Sequence, residues 1–292
     1  MSSCGILSKL CPCRNRTLSH FTGAAAAIAG VVVMLVSDSP FGIVAGFILF
    51  ISGGVLGLAF SKAPAIARRE LSSYFTSPVA YILMAAYLFV VSFFFAGSLD
   101  SAHMNAVFST MTFLSLFTCP IITMRLIAEE AKSGTLETML TVPVSDLEIT
   151  LGKYLGAFLF FLTLQAPTLL FVYILARHGS PDYGAILGGY VGVVLFGSML
   201  VSLGLLISSL TKNQVIAAFT STVVMFVLFI GGMMARNVSG TAGKVLQYIG
   251  TESHYQDFIN GVINSQHVVY FLTLTIFFLF LSVRAIESHR WR

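Results

Sequence analysis

Long, uninterrupted apolar runs constrain this chain more than any other feature. Eight stretches, at about 18–36, 41–60, 79–99, 105–124, 149–175, 185–209, 214–234 and 267–284, are each close to the roughly 20 residues a helix needs to cross the hydrocarbon layer of a membrane. The runs are continuously apolar rather than alternating, which favours helices over lipid-facing strands. Composition agrees: 57% of the 292 residues are hydrophobic and only 10% are charged. A soluble core cannot hide that much apolar surface beneath so few charges. The expected fold class is an all-α integral membrane protein with eight spans.

Basic residues set the expected orientation. With the N-terminus inside, eight spans put Lys9, Arg14, Arg16, Lys62, Arg68, Arg69, Arg125, Lys132, Lys153, Lys212, Arg284, Arg290 and Arg292 on the cytoplasmic side. Arg177, Arg236 and Lys244 fall outside, and both termini are expected in the cytoplasm. This bias accounts for the net charge of +4 without a nucleic-acid partner. The first apolar run resembles a signal peptide, but a second follows at once after "SDSP", the pattern of a membrane hairpin over 18–60 behind a cytoplasmic segment 1–17. Cys4, Cys11 and Cys13 lack metal or redox spacing and read as reduced thiols, and Cys119 reads as packing inside a span.

Several chemistries lack their parts. No Asp, Glu, Arg or His falls well inside a span, which disfavours proton coupling, and Lys153 lies near a span end from which its ammonium can reach water. Intramembrane hydrolysis has no H-E-x-x-H and no aspartate pair. "SGTAGK" at 239–244 is too short for a phosphate loop and is followed by Val245, so any ATP and Mg would be bound by another subunit, with no cofactor held by this chain.

Charge concentrates instead in one loop. Glu129, Glu130, Glu137, Asp146 and Glu148 lie within residues 125–150, between the fourth and fifth spans. The fourth span is expected to continue through "LIAEEAK" to a break at Ser133-Gly134, because glycine tolerates the angles that end a helix. Leu136, Met139 and Leu140 then form the apolar face of a short helix from Thr135, which Pro143 ends. Ser145 with Glu148 is a capping box for the next span. An apolar-faced helix with acidic flanks, held between two spans, suits docking into a cleft of a soluble partner. Singly, the same acids have plainer roles: Glu148 as a cap, Glu129 or Glu130 paired with Lys132 on a solvated helix face.

The stretch "AEEAKSGTLETMLTVPVSDLEITLGKYLGA" resembles the cytoplasmic coupling loop of ABC-2-type ABC transporter permeases. The resemblance covers residues 65–292 and rests on Glu129, Glu130, Gly134, Thr135, Leu136, Glu137, Pro143, Val144, Ser145 and Gly152-Lys153. It implies a six-span permease core of the bacterial inner membrane, preceded here by an extra hairpin. It also implies an ABC ATPase subunit, a second permease protomer and, in some assemblies, an additional envelope subunit. The loop would transmit ATP hydrolysis, with Glu129, Glu130, Gly134, Thr135, Leu136, Glu137, Met139, Leu140 and Pro143 at the contact. A secondary transporter or channel, and a membrane scaffold for an envelope machine, remain as alternatives.

Two other segments carry expectations. "AIARRELSSYF" places Ala67, Leu71, Tyr74 and Phe75 on one stripe, apart from Arg68 and Arg69, and reads as an interfacial elbow helix over 65–76. Ser77-Pro78 then starts the next span. In the long loop 235–266, Ser253 and Gln256 offer a cap, and Tyr255, Phe258, Ile259 and Val262 recur at helical spacing, as in a helix at the outer mouth. His254 beside Asp257 is too little for a metal site and reads as a surface hydrogen-bonding residue. The segment from "HYQDFINGV" onward resembles the gliding-motility-associated and nitrous-oxide-reductase-maturation branches of the family. Asn264, Gln266 and His267 stand where those relatives carry an ion pair, so none is expected at that rim. Gly188, Gly192, Gly197, Gly204 and Gly231-Gly232 predict close helix packing, and Pro120 and Pro167 predict kinks. Tyr87, Tyr154, Gln165 and Tyr173 define no recognisable pocket.

Overall fold

The computed structural model describes residues 62–98, 104–135, 144–178, 182–235 and 250–290. The chain divides into two compact units, Met1–Ala65 and Ile66–Arg292, and nearly all the described residues belong to the second. The expected segment 1–17 and hairpin 18–60 lie outside the described residues, as do Leu136, Glu137, Met139, Leu140 and Pro143.

Every described element is helical: α1 (Ala63–Thr76), α2 (Pro78–Ser98), α3 (Asn105–Thr123), α4 (Ala128–Ser133), α5 (Asp146–Gln165), a 3₁₀ turn (Ala166–Thr168), α6 (Leu169–His178), α7 (Tyr183–Leu210), α8 (Gln214–Ala235), α9 (Thr251–Ile259) and α10 (Ser265–Arg290). Six helical stretches among the described residues are long and apolar enough to span a bilayer, beginning at Pro78, Asn105, Asp146, Tyr183, Gln214 and Ser265. They match the last six runs read from the sequence. α1, the turn after α3, α4, the start of α5 and the α7–α8 turn share one face, here called the basic face for its Arg and Lys residues. α9 lies at the other.

Local chemistry places the ends. α5 begins with a complete capping box: Glu148 N–H donates to Ser145 Oγ at 3.2 Å and Ser145 N–H to Glu148 Oε2 at 3.2 Å, as the sequence predicts. Asp182 caps α7, accepting from Gly184 N–H at 2.9 Å. α2 starts at Pro78, directly after Ser77. Pro167, which lacks an N–H, coincides with the 3₁₀ turn that breaks the α5–α6 span.

α7 is the central helix. Its most apolar window is 78% buried, against 22% for the spans starting at Pro78 and Gln214, and it packs on α3, α5, α8, α9 and α10. Glycines make this possible. A Cβ on Gly197 would collide with the Phe161 ring, one on Gly204 with Thr123, and one on Gly189 with Phe108.

The fourth span departs from expectation. α3 stops at Thr123, and a turn over 124–127 precedes α4, rather than one helix continuing to Ser133. Ser208, buried on α7, stabilises the break. Its hydroxyl accepts from the Ile127 and Ala128 N–H groups, each at 3.2 Å, and donates to Met124 O at 3.2 Å. These bonds replace helical ones. Gly134 ends α4 as predicted, with φ 73° and open space around it, so its backbone angle rather than crowding calls for glycine.

Candidate functional site

On the basic face, α1, the α3–α4 turn and α5 meet around one side chain. Lys153 is 1% exposed, the reverse of an ammonium reaching out to water. Its three protons are all used: Nζ donates to Leu126 O at 2.7 Å, Glu130 Oε1 at 2.7 Å and Glu70 Oε1 at 3.1 Å. Arg69 Nη2 closes the group, 3.3 Å from Glu70 Oε1 and 3.5 Å from Glu130 Oε1. Two acids balance two bases, which is how charge becomes tolerable away from water.

Glu70 is the residue that sequence reasoning missed. It lies on the stripe of Ala67, Leu71 and Tyr74, and a carboxylate on the buried side of an amphipathic helix requires a cation opposite it. Gly156 brings α1 close enough for that pairing: a Cβ there would sit 2.6 Å from Glu70 Cβ and 3.1 Å from Ala67 O. Ala67 and Tyr74 are buried, Leu71 and Phe75 half-buried, and Arg68 and Arg69 exposed. Tyr74 stacks on Phe160 with ring centroids 4.7 Å apart and donates its hydroxyl to Ile122 O at 2.7 Å. Burial raises the Tyr74 pKa above the ordinary phenol value, which outweighs the opposing Arg125 charge and keeps this donor protonated.

The acids of the loop separate into two environments. Glu130 turns inward to Lys153, not to Lys132. Glu129 is exposed and lines a recess of about 220 Å³ together with Tyr74, Arg125 and Gln214. The Arg125 guanidinium lies 4.4 Å from the Tyr74 ring centroid. Ser133 Oγ and Thr135 Oγ1 are 2.8 Å apart beside Gly134.

The opposite face corrects four expectations. α9 starts at Thr251 after Gly250, two residues before the predicted cap, and Ser253 instead donates to Gly250 O at 2.8 Å. Tyr255, Phe258 and Ile259 are buried, but Val262 is 56% exposed. The helix ends before Val262 because Gly261 turns with φ 78° against Ala185. α9 is thus wedged into the bundle: Tyr255 donates to Phe108 O at 3.2 Å, and Phe258 fills the space left by Gly192.

His254 is likewise not a surface residue. It is 6% exposed, stacks on Tyr270 at 4.0 Å, and its Nδ1 lies 2.7 Å from His267 Nδ1. His267 Nε2 lies 2.6 Å from Asp257 Oδ2, so this rim does hold an acid–base pair, joined across ten positions rather than within 264–267. At mid-bundle, Tyr87 donates to Gln165 Oε1 at 2.6 Å, next to the 3₁₀ break, while Gln165 Nε2 is buried without a partner. Among the described residues, no group of His, Cys, Asp and Glu converges as metal ligands.

Residues 94–284, well over half of the chain, match the family described as "ABC-2 family transporter protein". The chain belongs to the ABC-2 transporter family. It is also similar to the probable multidrug ABC transporter permease YbhR of Escherichia coli strain K12, with 37% identity over 94 residues, covering 32% of this chain and 25% of that protein. The same figures hold for YbhR of Escherichia coli O157:H7. The match therefore spans about a quarter of the length of these curated relatives. Family membership and six apolar helices make the chain the membrane subunit of a transporter and a multi-pass protein of the inner membrane. ABC-2 family members of this kind are permeases and do not carry the catalytic site.

Proposed function

We propose that this chain is the permease of an ATP-driven exporter and that its loop 125–150 receives the motion of a separate ABC ATPase. The observation that carries this reading is the Lys153 cluster, which ties the loop to both α1 and α5 through one buried ammonium. Force applied to the loop would pass into a span and an interfacial helix together. A shear-like displacement of packed elements is a common way for such motion to travel.

In this reading the basic face is cytoplasmic, both termini lie there, and two protomers form the translocation unit. The ATPase, which holds ATP and Mg, docks on Glu129, Gly134, Thr135 and the following segment with Leu136, Glu137, Met139, Leu140 and Pro143. The exposed Glu129 and the adjoining recess supply an acidic, partly apolar surface for that contact. Residues 18–60 add a membrane hairpin, giving eight spans. The name of the YbhR relative, a probable multidrug permease, favours drugs as cargo. The C-terminal segment favours kinship with the gliding-motility and nitrous-oxide-reductase-maturation branches, in which force transmission to an envelope subunit would take the place of cargo export.

The test is co-purification of the full chain with its neighbouring ATPase, followed by hydrolysis assays in liposomes. Glu129→Lys and Glu137→Lys should release the ATPase or abolish its response to the permease. Unchanged association and hydrolysis in both variants would overturn the docking assignment.

A further inference from the structure

The turn between α3 and α4 is imposed from outside. Residues 121–133 contain neither proline nor glycine, so nothing in the segment itself stops a continuous helix. In that helix the Ala128 N–H would donate to Met124 O, four positions back. Instead the Ser208 hydroxyl lies between them, accepting from Ala128 N–H at 3.2 Å and donating to Met124 O at 3.2 Å. A side chain inserted into the helical ladder is a sufficient cause of a sharp bend. The Leu126 N–H turns to Thr123 O at 3.1 Å, and Ile122 O, its helical acceptor, takes the Tyr74 hydroxyl instead. Leu126 O takes Lys153 Nζ.

Three helices therefore hold one turn, and of the three only α7 is central to the bundle. Ser208 is fully buried on it. One helical turn earlier, Gly204 gives Thr123 its seat, since a Cβ there would collide with that side chain. Residues 123–128 are thus fixed to α7 at two successive turns. A displaced loop cannot leave Ser208 without stranding the buried N–H groups of Ile127 and Ala128, so it carries the end of α7 with it. We infer that Ser208 is the positioning residue through which displacement of the loop reaches α7 and, from there, the helices packed on it. This inference rests on the reading of the loop as the receiver of ATPase motion. It adds to the Lys153 route a second one that bypasses α1 and α5.

The experiment uses the full chain with its ATPase in liposomes and compares wild type, Ser208→Ala and Ser202→Ala. Ser202 is also buried on α7, but its hydroxyl donates within its own helix, to Met199 O at 2.7 Å, so it controls for loss of a buried hydroxyl. Ser208→Ala should retain the ATPase and lower its response to the permease about 5-fold or more, the lower end of coupling between linked sites. Ser202→Ala should leave the response unchanged. Ser208→Cys, a weaker acceptor of similar size, should fall between, and it stands in if alanine prevents folding. A wild-type response in Ser208→Ala, or loss of ATPase association itself, would overturn the inference. A second arm needs no ATPase. Glu130→Gln, which loosens the loop, should accelerate hydrogen exchange at residues 203–210 when Ser208 is present and not when it is alanine. Equal acceleration in both backgrounds also overturns the inference. A wild-type chain that binds no ATPase would refute the docking reading and leave this second arm to decide.

Discussion

Lys153 Nζ lies 2.7 Å from Glu130 Oε1, so a side chain rooted in α5 holds the first turn of α4, 23 positions earlier in the chain. Arg69 and Glu70 complete a neutral quartet, and the order of the basic face depends on all four.

Removing the buried cation should be costly. Lys153→Met would strand Glu70 and Glu130 beside each other with low solvent access, and breaking such a pair destabilises by about 3–5 kcal/mol. Thermal unfolding in detergent should show the loss. The exchange Lys153→Glu with Glu130→Lys should recover part of it, whereas Lys132→Ala should leave stability within about 0.5 kcal/mol.

The hydroxyl of Ser208 sets the turn after α3. Ser208→Ala would leave the Ile127 and Ala128 N–H groups buried and unpaired, at a cost of about 1–3 kcal/mol. Hydrogen exchange should accelerate locally at residues 124–130 while α7 stays protected. Uniform acceleration across the bundle would contradict this local role.

Gln165 and Tyr87 should show strong coupling. Gln165→Leu alone orphans the Tyr87 hydroxyl, and Tyr87→Phe alone leaves the whole Gln165 amide buried without a partner, each a loss of about 1–3 kcal/mol. The double variant should be more stable than the sum of the two losses predicts, because apolar groups replace both partners. A double-mutant cycle by thermal unfolding measures this coupling directly.

On the opposite face, the two facing Nδ1 atoms of His254 and His267 can share only one proton, and His267 Nε2 also meets Asp257 Oδ2. His254→Ala should therefore loosen the junction between α9 and α10 rather than pass unnoticed. Faster hydrogen exchange over 251–259 is the expected result. His267→Ala should have the larger effect, since it removes both links at once.

These outcomes turn on features that the sequence disclosed unevenly. The six described spans were legible because about 20 apolar residues in a row admit few other structures. The capping box at Ser145 and the glycine stop at Gly134 were legible because each is local, decided by atoms within four residues. The Lys153 quartet was not: its partners come from positions 69, 70 and 130, and proximity across that distance is decided by helix packing. One signal was present, the carboxylate of Glu70 on an otherwise apolar stripe. The break after Thr123 left no comparable trace, because it depends on a serine 85 positions away. Val262 kept the helical period of Tyr255 and Phe258, but Gly261, held against Ala185, ended the helix first.

The burial of α7 limits how this protein can diversify. Enlarging Gly189, Gly197 or Gly204 meets Phe108, Phe161 or Thr123 at once, so heritable novelty along that helix is closed off unless two residues change together. The flanks of α2 and α8 have no such restraint. Descendants with different tasks would therefore keep the same axle and vary at the rim.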